Sequence, residues 1–123
     1  MGSPTFGVHD AVLLDSDQPR AVYLAEGLGH AFLALADGSS VTYLVSTGYS
    51  PGREFAVSPT DPALELPWPA DVELQLSAKD QAAPTLEEAR QQGLLPTMEQ
   101  CSARYAELRN GVQLRNGVLG TGV

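Results

Sequence analysis

Cysteine, histidine and positive charge are all scarce in this 123-residue chain. The single cysteine, Cys101, excludes an intrachain disulfide and with it a disulfide-stapled secreted scaffold, so the expected compartment is the cytoplasm. Only 7 basic side chains face 15 acidic ones, a net charge of −8. A phosphate backbone or an anionic membrane surface would repel such a chain, so neither nucleic acid nor a membrane is an expected partner. No apolar run approaches the roughly 20 residues that a membrane helix needs. Residues Met1 to Phe6 contain no basic stretch leading into an apolar one, so no signal peptide is expected. Phe6 also stands where the myristoylation pattern needs Ser or Thr. A phosphate-cradling glycine loop is missing too, because Gly27-x-Gly29 lacks the third glycine and the helix that should follow.

What is present is a globular composition, 43% hydrophobic and 18% charged. The length fits one domain able to bury roughly two-thirds of its unfolded surface. Short β-type runs separated by turn residues fill the first half: Ala11 to Leu14, Ala21 to Leu24, Ala31 to Ala36 and Val41 to Ser46. Asp37-Gly38 between the last two favours a tight antiparallel hairpin. Period-two alternation in its second arm places Val41, Tyr43 and Val45 on one face and Thr42, Leu44 and Ser46 on the other. Five prolines between Ser50 and Pro69 exclude a central strand or a long helix there, which leaves a loop pinned by Trp68.

After Pro84 the character changes. Thr85 with Glu88 three residues on forms a capping-box pattern, predicting a helix through about Gln92 with Gly93 as its stop. A second helix is predicted from Thr97 to Arg109. Leu108-Arg109-Asn110-Gly111-Val112 then recurs as Leu114-Arg115-Asn116-Gly117-Val118. Two copies are too few for a solenoid, and the segment reads as a frayed tail or a short hairpin turning at an Asn-Gly. The expected organisation is a β region over residues 1–84, a helical segment of the same domain over 85–109, and a poorly ordered tail over 110–123. Many short strands followed by short helices suggest a jelly-roll or small barrel.

The candidate chemistry is sparse. A metal-dependent jelly-roll pocket uses several histidines, and His9 and His30 are the only two here, so no metal site is expected. His30, where a loop enters a strand, could present an imidazole to a substrate carbonyl or simply bond nearby backbone. Tyr43 fits a core tyrosine with a partnered hydroxyl, and Tyr49 a rim aromatic. Lys79 and Asp80 read as a solvated pair before a helix. Cys101 lacks a nucleophile motif.

Several segments taken together resemble the dTDP-4-dehydrorhamnose 3,5-epimerases. They are Gly2-Ser3-Pro4-Thr5-Phe6-Gly7, Glu26 to Leu33, Tyr43 to Tyr49 with Pro51, Asp61-Pro62-Ala63-Leu64, Trp68-Pro69 and Leu76 to Pro84, in the family's order from about Gly2 to Arg109. The resemblance implies a mainly β, cupin-like jelly-roll without metal or cofactor, incomplete here and followed by short C-terminal helices. It implies a homodimer, or association with another epimerase chain. The implied reaction inverts C3 and C5 of dTDP-4-dehydro-6-deoxy-D-glucose on the way to dTDP-L-rhamnose. Protons α to a ketone are removed and returned from the opposite face, which needs a base and an acid on the two sides of the sugar.

By position, Tyr43 matches the family's proton donor and Asp80 the carboxylate that orients the base histidine. Tyr49 matches the aromatic stacked on thymine, His30 and Glu54 match substrate contacts, and Lys79 matches the basic group near the nucleotide. In the family, Gly-Ser-Pro-Thr-Phe-Gly follows strands bearing an Arg-Gly-Leu-His stretch with the base histidine. Neither His9 nor His30 stands in such a stretch, so the base is not matched here. Loss of a positioned base forfeits about 10²- to 10⁴-fold in rate. The alternative expectation is a non-catalytic truncated remnant that binds a thymidine nucleotide or associates with an intact epimerase subunit.

Overall fold

Helix formation follows the strongest start signals in the chain. The computed structural model describes residues 1–50 and 52–118, the last seven of them for their backbone. Thr85 accepts the Glu88 N–H through its hydroxyl while the Glu88 carboxylate accepts the Thr85 N–H at 2.8 Å, a complete capping box. The helix it opens, Leu86–Gln91, ends at Gln92, and Gly93 follows at φ 69°. Ahead of it lies a one-turn helix, Ala78–Gln81, whose N-cap is Ser77. Thr97 and Gln100 bond reciprocally at 2.8 and 3.2 Å, again a capping-box arrangement, at the start of a helix Met98–Val118. In chain order these are α1 (Ala78–Gln81), α2 (Leu86–Gln91) and α3 (Met98–Val118). The predicted second helix is thus longer than expected and carries both Asn-Gly pairs, where a frayed tail or hairpin was expected. Residues 119–123 lie outside the described residues.

The chain divides into two compact units. The first contains residues 1–28 and 95–123. Within it, the Met1 amino group donates to the Pro96 carbonyl, and the Met98 N–H donates to the Met1 carbonyl at 2.8 Å. Cys101, Tyr105 and Leu108 form the half-buried side of α3, at helical spacing. This side meets the turn at Ala25 to Leu28, where the Tyr105 hydroxyl accepts the Glu26 N–H at 3.1 Å. Gly27, at φ 91°, comes so close to Cys101 that a Cβ there would collide with its Sγ. Burial and the neighbouring Tyr23 hydroxyl push the Tyr105 phenol up from its ordinary value.

The second unit contains residues 29–94. Its proline-rich loop is pinned as expected, with the Trp68 indole donating to the Pro59 carbonyl at 2.7 Å. Asp61 is the centre of this unit. Its carboxylate caps the 3-10 turn Pro62–Leu64 through the Ala63 N–H at 3.0 Å and accepts the Leu86 N–H, the first donor of α2, at 2.7 Å. Two segments 25 residues apart are thereby joined.

The expected mainly β, cupin-like jelly-roll does not form. Among the described residues there is no strand, and the four apolar runs are extended chain without a ladder. The chain turns between some of them, with Leu28 N–H donating to Ala25 O at 3.1 Å and Gly38 at φ 74°, but the expected antiparallel hairpin at Asp37-Gly38 does not form: Asp37 does not take a positive φ and, among the described residues, no backbone bond joins the two arms. The physical reason is that alternation defines a strand face only if a partner strand and a second layer cover it. Val41 and Tyr43 are each 48% exposed and Leu44 is 99% exposed, so the alternation is visible but nothing buries its inner face.

The core is correspondingly smaller than expected. Ala89 is the one buried apolar side chain among the described residues. The accessible surface is 10544 Å² for 13.0 kDa, whereas one folded body of that mass exposes roughly 6300 Å² and two separate bodies of half the mass roughly 7700 Å².

Candidate functional site

The residues singled out by sequence all lie in the second unit, in three local groups. The first is built on the Asp37-Gly38 turn. There the Ser39 hydroxyl donates to the Ala36 carbonyl at 2.7 Å, and the chain reverses. With a two-residue loop, Phe32 falls opposite Tyr43. The rings obey that register: Phe32 and Tyr43 have centroids 6.5 Å apart and His30 and Tyr43 5.7 Å apart, tilted by 52° and 49°. Both separations are those of attractive aromatic pairs. The Tyr43 phenol is half-exposed, available to a ligand and backed by two rings.

The second group is the turn that follows Tyr49. The Arg53 N–H donates to the Ser50 carbonyl at 3.1 Å, and the Glu54 carboxylate accepts the Ser50 N–H at 3.3 Å. Glu54 thus closes the loop beside Tyr49. The Tyr49 ring itself is 78% exposed, a flat apolar surface facing water.

The third group is the N-terminus of α1. Ser77 accepts the Asp80 N–H through its hydroxyl at 3.1 Å and donates that hydroxyl to the Asp80 carboxylate at 2.7 Å. Gln81 ties the same turn to the Leu76 carbonyl at 2.9 Å. Asp80 is held in one orientation by this pair of bonds, while the neighbouring Lys79 stands exposed.

The structure therefore brings His30 to Tyr43 and Glu54 to the turn beside Tyr49. No hydrogen bond, ion pair or ring contact among the described residues joins Asp80 or Lys79 to the aromatic group. No three His, Cys, Asp or Glu side chains among the described residues cluster in a way that could hold a metal ion. Two further participants were not anticipated. Phe32 supports the Tyr43 ring and was legible from the hairpin register. Ser77 fixes the Asp80 carboxylate, and its signal was the Ser-x-x-Asp spacing of a helix start.

Chemically, the aromatic group offers a phenol and an imidazole on one side of a prospective ligand. The turn offers a stacking surface. The α1 terminus offers a fixed carboxylate with an exposed ammonium beside it.

The chain is similar to several known proteins. A dTDP-4-dehydrorhamnose 3,5-epimerase of Mycolicibacterium smegmatis is 53% identical over 112 residues, covering 91% of this chain and 55% of its own. A dTDP-4-dehydro-6-deoxyglucose 3-epimerase of a Streptomyces species is 52% identical over 99 residues, covering 80% of this chain and 50% of its own. A dTDP-4-dehydrorhamnose 3,5-epimerase of Mycobacterium tuberculosis is 48% identical over 110 residues, with 88% and 54% covered. The chain spans about half the length of these relatives. No solved structure matches it significantly. Residues 1–88 match the family described as dTDP-4-dehydrorhamnose 3,5-epimerase, and the match takes in Tyr43, Tyr49, Glu54, Lys79 and Asp80. The chain belongs to the dTDP-4-dehydrorhamnose 3,5-epimerase family.

Proposed function

We propose that this chain carries the proton-donating and nucleotide-binding side of a sugar-nucleotide 3,5-epimerase acting on dTDP-4-dehydro-6-deoxy-D-glucose. The observation that carries the proposal is the family match over residues 1–88, which includes every residue assigned a role. Tyr43 donates the proton to the enolate formed at C3 and C5. Tyr49 stacks on the thymine ring. Glu54 and His30 contact the substrate, and Lys79 lies near the nucleotide. Asp80 orients the imidazole of the base.

That base is not His30. A base and an acid acting on opposite faces of a sugar each stand about 3–3.5 Å from the reacting carbon, so their atoms lie about 6–7 Å apart with the ring between them. The imidazole of His30 instead packs against the phenol ring of Tyr43, with centroids 5.7 Å apart, which leaves no room for a sugar in between. The proton acceptor is a group outside these 123 residues. Alone, this polypeptide binds a thymidine nucleotide without turning over the sugar.

Two measurements on the isolated chain test this. Titration with dTDP is expected to show binding that Tyr49→Ala weakens by about tenfold, because stacking of a base on an aromatic ring contributes about 1–3 kcal/mol. Incubation of the keto-sugar in D₂O is expected to leave C3 and C5 free of deuterium. Deuterium uptake that disappears in His30→Ala would overturn the assignment of the base. Absence of dTDP binding would overturn the proposal as a whole.

A further inference from the structure

Asn110 and Asn116 are the only asparagines in the chain, and glycine follows each of them. Both pairs lie in α3, outside the three groups described above. An Asn-Gly pair carries a chemistry of its own. The glycine has no Cβ to hinder the approach of its nitrogen to the asparagine amide carbon, and its backbone bends freely into the geometry that ring closure needs.

The helix governs that approach. In α3 the Gly111 N–H donates to the carbonyl of Glu107, four residues back. A nitrogen held in this way keeps its proton and stays fixed along the helix axis, so closure needs a locally opened turn. Opening costs little here for two reasons. Leu108 is half-buried, whereas Arg109, Asn110 and Gly111 after it are exposed, so little packing opposes loss of the turn. Gly111 and Gly117 also each lower the helix equilibrium about fivefold relative to alanine.

We propose that Asn110-Gly111 is a site of spontaneous modification, at which Asn110 converts to aspartate and isoaspartate when α3 opens beyond Leu108. The Gly111 nitrogen attacks Asn110 Cγ and a C–N bond forms. The Cγ–Nδ2 bond breaks, and the proton lost by the Gly111 nitrogen passes through solvent to the departing ammonia. Water then adds to one of the two carbonyls of the cyclic imide. Cleavage of the bond between Cγ and the Gly111 nitrogen gives aspartate; cleavage on the backbone side gives isoaspartate, whose main chain is one methylene longer. Water is the only co-reactant. Either product adds a negative charge to a chain already at −8. The longer main chain of isoaspartate also displaces the N–H groups that follow from their acceptors, so α3 then ends near Leu108. Cys101, Tyr105 and the bond from the Glu26 N–H to the Tyr105 hydroxyl precede that point and are kept.

The test is mass spectrometry of the full chain after incubation in warm, mildly alkaline buffer, where deamidation adds one mass unit. Trypsin cleavage after Arg109 and Arg115 puts the two asparagines on separate peptides. Asn110 is expected to convert in the folded chain, and about three- to tenfold faster in urea, where the helix is lost. Asn116, nearer the end of α3 at Val118, is expected to convert faster than Asn110 in buffer and at the same rate in urea, because both sit in the same Leu-Arg-Asn-Gly-Val sequence. Gly111→Ala is expected to slow Asn110 at least about tenfold, through a firmer helix and a hindered nitrogen. A Cβ there meets nothing within 4 Å, so this change leaves the rest of the unit intact. Asn110→Gln is expected to stay unmodified. Asn110 left unchanged while a synthetic peptide spanning Tyr105 to Arg115 converts completely overturns the proposal. So does conversion at one common rate in buffer, in urea and in Gly111→Ala. Loss of exchange protection at the Glu26 amide on conversion overturns the claim that α3 is kept as far as Leu108.

Discussion

Replacing Asp61 by alanine removes two bonds at once. Its carboxylate, 8% exposed, accepts the Ala63 N–H at 3.0 Å and the Leu86 N–H at 2.7 Å. Leu86 is the first residue of α2, and its N–H has no acceptor inside the helix. Hydrogen bonds to a charged acceptor contribute about 1.5–3 kcal/mol each, and water can replace part of that at the half-buried Leu86. We expect Asp61→Ala to cost about 2 kcal/mol, a fall of about 30-fold in the hydrogen-exchange protection of the Leu86 amide. Asp61→Asn keeps an acceptor oxygen and loses the charge, so a fall of about fivefold is expected. Amide exchange followed by NMR reads this at the site itself. The Glu88 amide, capped by Thr85, should change much less. Unchanged protection at Leu86 in Asp61→Ala would refute the claim that this carboxylate fastens the 3-10 turn to α2.

In the first unit, Gly27→Ala should destabilise the Ala25 to Leu28 turn by about 1–3 kcal/mol, because a side chain at φ 91° is strained and its Cβ meets Cys101 Sγ. Cys101→Ala in the same chain should restore part of the loss by removing the collision and not the strain; equal loss in both backgrounds, read from exchange of the Glu26 amide, would exclude the collision. The Arg90 guanidinium, at 2.6 Å, together with Gln91 holds the Glu87 carboxyl well below its ordinary range, at about 2. Because the folded value is lowered, the stabilisation is complete above the ordinary value of 4.5 and disappears as pH falls toward 2. NMR titration of Glu87 should show this, and Arg90→Ala should move the midpoint up; titration near 4.5 in the parent chain would contradict the pairing. Tyr105 should ionise above the ordinary tyrosine value, and its stabilising contribution should fade as pH rises through that range.

Local chemistry made part of this molecule legible in its residues alone. Thr85 and Glu88 satisfy each other's backbone, so α2 begins where the pattern predicts. Trp68 closes the proline-rich loop because proline forbids the alternatives. Gly38 turns the chain beside Asp37, and that register is enough to set Tyr43 against Phe32 and His30. The family itself was visible in the order of short motifs, since matching residues at matching spacings needs no fold to be read.

Strands were a different matter. Alternation in Val41 to Ser46 states which side chains share a face, and it cannot state that a neighbouring strand exists to accept the backbone bonds. Without that neighbour no sheet forms among the described residues, however suitable the side chains. The cupin-like expectation failed on this point alone. Ser77 was overlooked because a four-residue helix carries almost no periodic signal, although its cap decides how the Asp80 carboxylate points.

The sequence by itself determined the helix starts, the turns, the loop pinned by Trp68 and the membership of the family, because each depends on residues close together or on identity at fixed spacing. Tertiary structure alone decided that Asp61 reaches Leu86, that Tyr105 receives Glu26, and that the apolar arms stay uncovered. Those outcomes depend on which distant segments meet, and only the closing of loops against the loss of chain entropy selects among the possible meetings.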